Sequence, residues 1–450
     1  MSATYPSTPA RPLFVVLAGV LRGRNGTAAA LQAFAVRLAV LGLNVATGVL
    51  AARWLGAAGR GDLAALRAGA TTFAFLLALG LPSAVVYTFR RYPAHRGRLL
   101  GAALALTAAL GAVAVVLGAA LVPVWLDDFA PDVRRAAQWM MLTAPLVLLM
   151  PVCTGALEAS GAYTATSRAR LAQPLLTFLV LVGLGVAGAM TPLSAALAYV
   201  AASLPLAWML AALWRRYPPQ FRGIARPARL IGRYAVRSAG INLTSSLSSQ
   251  ADQVLVVGIM EPALVGAYVV ALSATRLLTA VHVSVVAVLF SKTASRAPDH
   301  VLATVGRTVR VVGATTALAG VVLFAAGPTL LRVLYGPDFV AAATLLRLLV
   351  VEVVVGSVVS VLAQSFMALG RPGWVSTFQT VGLALNVPLL LVLVPQFGLV
   401  GAGVALLTAT SVRFVAVLAA YPLVLRVPPP PLVLTRADVR ALRQSLTPAL

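Results

Sequence analysis

Residues 99–126 read LLGAALALTAALGAVAVVLGAALVPVWL, an unbroken run without one charged side chain. Wound as a helix at about 1.5 Å per residue, this run outreaches the roughly 30 Å hydrocarbon core of a bilayer. Its Ala, Gly, Leu and Val show no two-residue alternation of polar and apolar positions. That argues against a strand of a membrane barrel and for a helix. Runs of the same kind recur on both sides of it, near 28–54, 62–89, 136–158, 168–190, 193–214, 236–260, 264–290, 308–335, 341–369, 374–395 and 399–424. Only 10% of the 450 residues are charged and 60% are hydrophobic, against roughly 25% charged in a soluble domain. Such a chain cannot clothe itself in polar surface, so its solvent is lipid. The fold class is therefore all-α integral membrane, with about twelve transmembrane helices.

The formal charge of +24 comes from 35 basic against 11 acidic residues. In a soluble protein this excess would point to nucleic acid. Here it tracks topology, and no nucleic-acid partner is expected. With the N-terminus inside, the inside segments hold 22 Lys and Arg, the densest being Arg90, Arg91, Arg96 and Arg98, then Arg215, Arg216, Arg222, Arg226, Arg229 and Arg233. The outside connections hold only Arg53, Arg60, Arg134, Arg135 and Arg332. This bias supports an even number of spans with both termini cytoplasmic. Residues 13–21, LFVVLAGVL, read as an interfacial helix rather than a cleaved leader. The tail after Pro431 reads as a short helix opening at Thr435.

The chain also repeats itself. Ala35-Val36-Arg37 is echoed by Ala235-Val236-Arg237, and the segment from Gly61 by that from Gly266. Asp128-Phe129 is echoed by Asp338-Phe339, and Ala159-Ser160-Gly161 by Ala368-Leu369-Gly370. The echoes stand at nearly one offset and in order. Six spans per half put the two halves in the same orientation, related by a pseudo-twofold along the membrane normal. The expected organisation is an N-terminal cytoplasmic or interfacial segment (1–27) and a first six-helix lobe (28–214). A basic cytoplasmic linker (215–235), a second six-helix lobe (236–425) and a basic tail (426–450) follow.

Charged groups within the spans are expensive and point to function. Arg37, Arg67, Arg237 and Arg276 fall one each on four repeat-equivalent spans. Asn242 and Gln250 belong to a seventh span too polar for lipid, and Asp252 and Glu352 are buried acids. One lipid-free surface between the lobes would gather them. Two acids cannot neutralise the arginines, so the cleft suits an anion, and the guanidinium fork suits phosphate oxygens in particular. The alternative is a set of buried ion pairs in which Asp252 and Glu352 serve as counter-ions. Cys153 stands alone, so no disulfide or thiolate metal cluster forms within the chain. No nucleotide-binding loop, metalloprotease helix or catalytic serine motif is present, and no catalytic residue, metal or cofactor is expected.

Several stretches carry a family resemblance. They are Ala51-Ala52-Arg53-Trp54-Leu55-Gly56 through Gly61, Leu79-Gly80-Leu81-Pro82, Ser249-Gln250-Ala251-Asp252-Gln253 and Gly266-Ala267-Tyr268. Leu334-Tyr335-Gly336-Pro337-Asp338-Phe339, Ala368-Leu369-Gly370-Arg371 and Gly398-Leu399-Val400-Gly401-Ala402 complete the set. In this order the chain resembles the oligosaccharide flippases (Wzx type) of the multidrug/oligosaccharidyl-lipid/polysaccharide exporter superfamily. The resemblance implies two six-helix lobes in a bacterial cytoplasmic membrane, working by alternating access. The cargo it implies is a polyprenyl-pyrophosphate-linked oligosaccharide moved from inner to outer leaflet under an ion gradient of H+ or Na+. Membrane lipids and polysaccharide polymerase or assembly proteins are the partners it suggests. This fits the cleft already read from the residues, in which Arg37, Arg67, Arg237, Arg276, Asn242 and Gln250 would hold pyrophosphate and glycan and Asp252 and Glu352 would couple the ion. The two additional C-terminal helices usual in peptidoglycan lipid flippases are missing. Rival readings are a major-facilitator-like transporter or drug exporter, a membrane glycosyltransferase or polymerase, and a non-transporting scaffold. The loop Phe89-Arg90-Arg91-Tyr92-Pro93 lacks the acidic-arginine pattern usual for the first of these.

Overall fold

The computed structural model describes residues 26–291 and 298–432, and for 26–35, 37, 241, 242, 244–246, 249, 277, 280–291, 298–303 and 372 it describes the backbone alone. The segment at 13–21 and the helix expected at Thr435 lie outside the described residues.

All regular structure among the described residues is helical. Helix α1 (Gly26–Leu77) is followed by α2 (Leu81–Arg91), α3 (Arg96–Trp125), α4 (Pro131–Met140), α5 (Ala144–Ala159) and α6 (Tyr163–Val186). Then come α7 (Pro192–Ala201), α8 (Leu204–Arg216), α9 (Ala225–Ile259), α10 (Pro262–Ser291), α11 (Pro298–Leu330), α12 (Ala343–Ala368) and α13 (Pro372–Ala420). Proline opens many of them, because the first turn of a helix has no use for the missing N–H; Pro82, Pro131, Pro192, Pro205 and Pro372 are of this kind. Thr191 caps α7, its Oγ1 accepting from the Ser194 N–H at 3.0 Å while the Ser194 Oγ accepts from the Thr191 N–H at 2.8 Å.

Eight stretches among the described residues are long and apolar enough to cross a membrane. Two of them are really two spans each. Leu38–Leu77 and Gly373–Leu425 run for 40 and 53 residues, too long for one crossing at about 1.5 Å per residue. Both bend at a glycine in the left-handed region, Gly56 with φ 68° and Gly398 with φ 55°, where a side chain would be strained. The remaining two spans are α9, whose middle is rich in polar side chains, and α10, which is apolar from Pro262 to Arg276. The count of twelve and the two-lobed, all-helical architecture follow.

The basic stretch read as a linker to residue 235 is helical from Ala225. Arg226, Arg229, Arg233 and Arg237 recur every three to four residues and are all exposed, whereas Ile231 and Ala235 are buried. These two join the core cluster that contains Phe89, Leu100, Val152 and Leu213, and Tyr234 stacks on Tyr87 with ring centroids 4.4 Å apart. The opening of α9 is an amphipathic helix docked on the first lobe, while its later part packs against α13.

The lobes meet along α1 and α10. A Cβ placed on Gly61 would lie 1.8 Å from the Pro262 carbonyl oxygen, and one on Gly266 would lie 2.0 Å from that of Ala57. Positions 57 and 262, and positions 61 and 266, are separated by the same 205 residues. The contact is therefore made twice about the pseudo-twofold, with the backbones in touch as small residues allow. Two further side chains close this face. The Arg53 guanidinium donates to the carbonyls of Leu334, at 2.8 Å, and Val333, and the Trp125 indole N–H donates to the Val254 carbonyl at 3.1 Å. The sealed face is the one opposite the arginine-rich connections.

Candidate functional site

Behind the α1–α10 seam lies a cavity of about 220 Å³ lined from both lobes. Arg60, Arg67, Thr71 and Thr72 reach it from α1, Gln250 and Gln253 from α9, and Ser273 and Arg276 from α10. Arg60 is only 6% exposed, and its Nε is buried without a partner. The Arg67 guanidinium lies over the Tyr199 ring, 3.5 Å from its centroid. Ion pairs among the described residues are Arg134–Asp127, Arg135–Asp132 and Arg170–Glu158. None of the three cavity arginines takes part in them. Removing a guanidinium from water is unfavourable unless a counter-charge or full hydrogen bonding replaces the water. Arg60 is buried, Arg67 half-buried and Arg276 exposed; three guanidinium groups around one space suit an anion with several oxygens.

Each lobe holds a further cavity that shares lining residues with this one. Arg67 and Thr71 also line a cavity of about 630 Å³ inside the first lobe, with Phe75, Val86, Met140, Met150 and Tyr199 on its walls. Its threonines at 71, 143 and 154 turn their hydroxyls onto carbonyls of the preceding helical turn, which leaves the walls largely apolar. Arg276 also lines a cavity of about 410 Å³ inside the second lobe, with Asp252, Glu352, Asn386, Thr410 and Arg413. There the Tyr268 hydroxyl donates to Asp252 at 2.7 Å and the Thr410 hydroxyl donates to Glu352 at 2.7 Å.

The residues singled out in the sequence distribute as follows. Arg67, Arg276 and Gln250 share the central cavity, and Asp252 and Glu352 share the second-lobe cavity. Arg237 is exposed in the arginine row that opens α9 and lies outside both. For Arg37 and Asn242 the backbone alone is described. Asp252 is held by a tyrosine hydroxyl, with no arginine within ion-pair distance. Arg60 falls between the apolar runs at 28–54 and 62–89 and so reads as part of an outside connection. The single bend at Gly56 instead restarts the helix at once and carries Arg60 inward. One available signal was that small residues flank Arg60 and leave its side chain the room to be buried.

These features define a polytopic helical membrane protein with a cationic cavity between two pseudo-symmetric lobes. A family model described as "Polysaccharide biosynthesis protein" matches residues 52–344, and the chain belongs to that family. No curated protein matches it by sequence. Its fold is similar to that of the lipid II flippase MurJ in an inward closed conformation, with a TM-score of 0.74 at 12% identity over 89% of this chain and 88% of that one. It is also similar to an inward-facing multidrug resistance MATE transporter of the MOP superfamily, with a TM-score of 0.65 at 14% identity over 91% and 96%. A MATE transporter of Vibrio cholerae gives 0.59 at 14% identity over 92% and 98%.

Proposed function

We propose that this protein flips a polyprenyl-pyrophosphate-linked oligosaccharide from the inner to the outer leaflet of a bacterial cytoplasmic membrane by alternating access. One observation carries the reading: Arg60, Arg67 and Arg276, drawn from both lobes, surround one cavity without a carboxylate partner. A pyrophosphate supplies the missing negative charge and several oxygens for the guanidinium forks. The excess of basic residues on one face puts that face in the cytoplasm, so the seam at Gly61 and Gly266 is the outer gate and this conformation is closed to the outside. Binding between the lobes and rocking of one lobe against the other then carries the head group across while the prenyl chain stays in lipid. Asp252 and Glu352, together in one cavity, are the groups through which an H+ or Na+ gradient would act. Polysaccharide polymerase or assembly proteins would take up the product outside. The reading is transport rather than catalysis.

A second reading, export of a soluble drug-like molecule, draws on the fold shared with MATE transporters. Removing the gene separates the two. Flipping predicts a lipid-linked glycan accumulating on the cytoplasmic leaflet, cleared by the natural protein and not by Arg67→Ala or Arg276→Ala. Drug export predicts no such accumulation, and its absence would overturn the flippase reading.

A further inference from the structure

Among the described residues, five side-chain polar atoms are buried without a partner: Arg60 Nε, Ser248 Oγ, Thr316 Oγ1, Asn386 Oδ1 and Arg413 Nε. Three of them, Ser248, Asn386 and Arg413, line the same second-lobe cavity. Buried polar atoms are otherwise almost always hydrogen-bonded, so their concentration in one place describes a ligand. Its chemistry can be read from them. Arg413 Nε only donates, Asn386 Oδ1 only accepts, and Ser248 does either. A bare cation would suit Asn386 and the two carboxylates but cannot accept from the Arg413 Nε. A simple anion would suit Arg413 and be repelled by Asp252 and Glu352. A neutral molecule whose hydroxyls both donate and accept satisfies all three.

We propose that this cavity is a subsite for the sugar residue attached to the pyrophosphate. Its volume of about 410 Å³ is far beyond one water or ion and falls in the range of small-molecule sites. Tyr268 and Thr410 each donate one bond to the two carboxylates, and the three orphans add a donor, an acceptor and a hydroxyl without a protein partner. Arg276 lines this cavity and the central one, which makes a sugar here adjacent to an anion held by Arg60, Arg67 and Arg276. Gly382 keeps the wall open; a Cβ there already comes within 3.3 Å of the Arg413 side chain. Beyond it a smaller cavity of about 190 Å³ shares Glu352 and Arg413 and continues to the exposed Ser360, leaving a path for the rest of the glycan.

The proposal rests on the flippase reading of the arginines, and its test keeps the two apart. The purified protein is titrated with undecaprenyl pyrophosphate and with the same lipid bearing one N-acetylglucosamine. The natural protein should bind the sugar-bearing lipid about tenfold more tightly, equivalent to about 1.4 kcal/mol. Gly382→Leu, which fills the cavity, and Asn386→Leu should bring the two affinities together while leaving that for the bare lipid unchanged. Ser248→Ala, the mildest change, should reduce the preference in part if the larger variants do not fold. Equal affinity of the natural protein for both lipids, or a preference that survives these changes, overturns the subsite. Bare-lipid binding that ignores Arg67→Ala and Arg276→Ala overturns the arginine site instead.

Discussion

At the scale of single residues, the central cavity places three guanidinium groups where a membrane protein ordinarily places none. Each charge-assisted hydrogen bond to phosphate contributes about 1.5–3 kcal/mol. Arg67→Ala and Arg276→Ala should therefore weaken binding of undecaprenyl pyrophosphate by roughly ten- to a hundredfold, with the protein still inserted and folded. Lys at either position should restore only part of this, because an ammonium lacks the planar fork; full restoration would mean that charge alone matters there. Asp252 makes a second prediction. Its partner is the Tyr268 hydroxyl, and an Asn oxygen can also accept that bond. Asp252→Asn should therefore leave the melting temperature nearly unchanged, since no buried charge loses a partner, yet abolish stimulation of transport by an ion gradient. A variant that still responds to the gradient would remove Asp252 from coupling. Arg67, Arg276 and Gln250 were legible as site residues because polar groups inside apolar runs stand out. Arg60 was not, because it falls in the gap between the first two apolar runs. Nor was Asn386, and Arg413, though it stands out as a charge within an apolar run, could not be joined to it, because their orphaned atoms exist only once α9, α12 and α13 are packed together.

Among the elements, α1 and α10 carry the mechanical argument. Their repeat relationship was visible in the sequence, since the segments from Gly61 and Gly266 already stood at one offset. That these glycines touch each other's helix across the lobes was not, because a repeat says nothing about which copies meet. A side chain at either position has nowhere to go but against a backbone carbonyl. Gly61→Leu or Gly266→Leu should thus wedge the outer seam and favour the state open to the outside. In a Cys153→Ser background, a thiol in place of Gln250, which lines the central cavity, should then react several-fold faster with an impermeant maleimide added from outside. Unchanged labelling would show that this seam is not the gate. The opening of α9 shows the opposite limit. Its prolines and arginines at 215–233 suggest an extended linker, but the arginine spacing is that of an exposed helical face over Ile231 and Ala235. The same spacing explains why Arg237 faces outward, as the fourth member of that row.

For the whole molecule, twelve spans, two lobes and the distribution of basic residues follow from hydropathy, charge and repetition, because lipid forces every backbone group into helical bonds and leaves few alternatives. Which lobe surfaces face each other, and where the cavities open, depends on side-chain packing that no single-sequence pattern encodes. Alternating access makes a prediction at this scale. The thiol at position 250 should be reached from the cytoplasmic side in the natural protein and lose that access when Gly61→Leu forces the outer side open. Access from both sides at once would describe a channel. The most direct measurement uses the purified protein in liposomes carrying a fluorescent polyprenyl-pyrophosphate-linked oligosaccharide, with an impermeant quencher outside. The protein should accelerate transfer of the lipid between leaflets, and substituting Arg60, Arg67 and Arg276 together by Ala should return the rate to that of protein-free liposomes. Transfer that is no faster with the natural protein, or equally fast without the three arginines, would contradict a cationic flippase site.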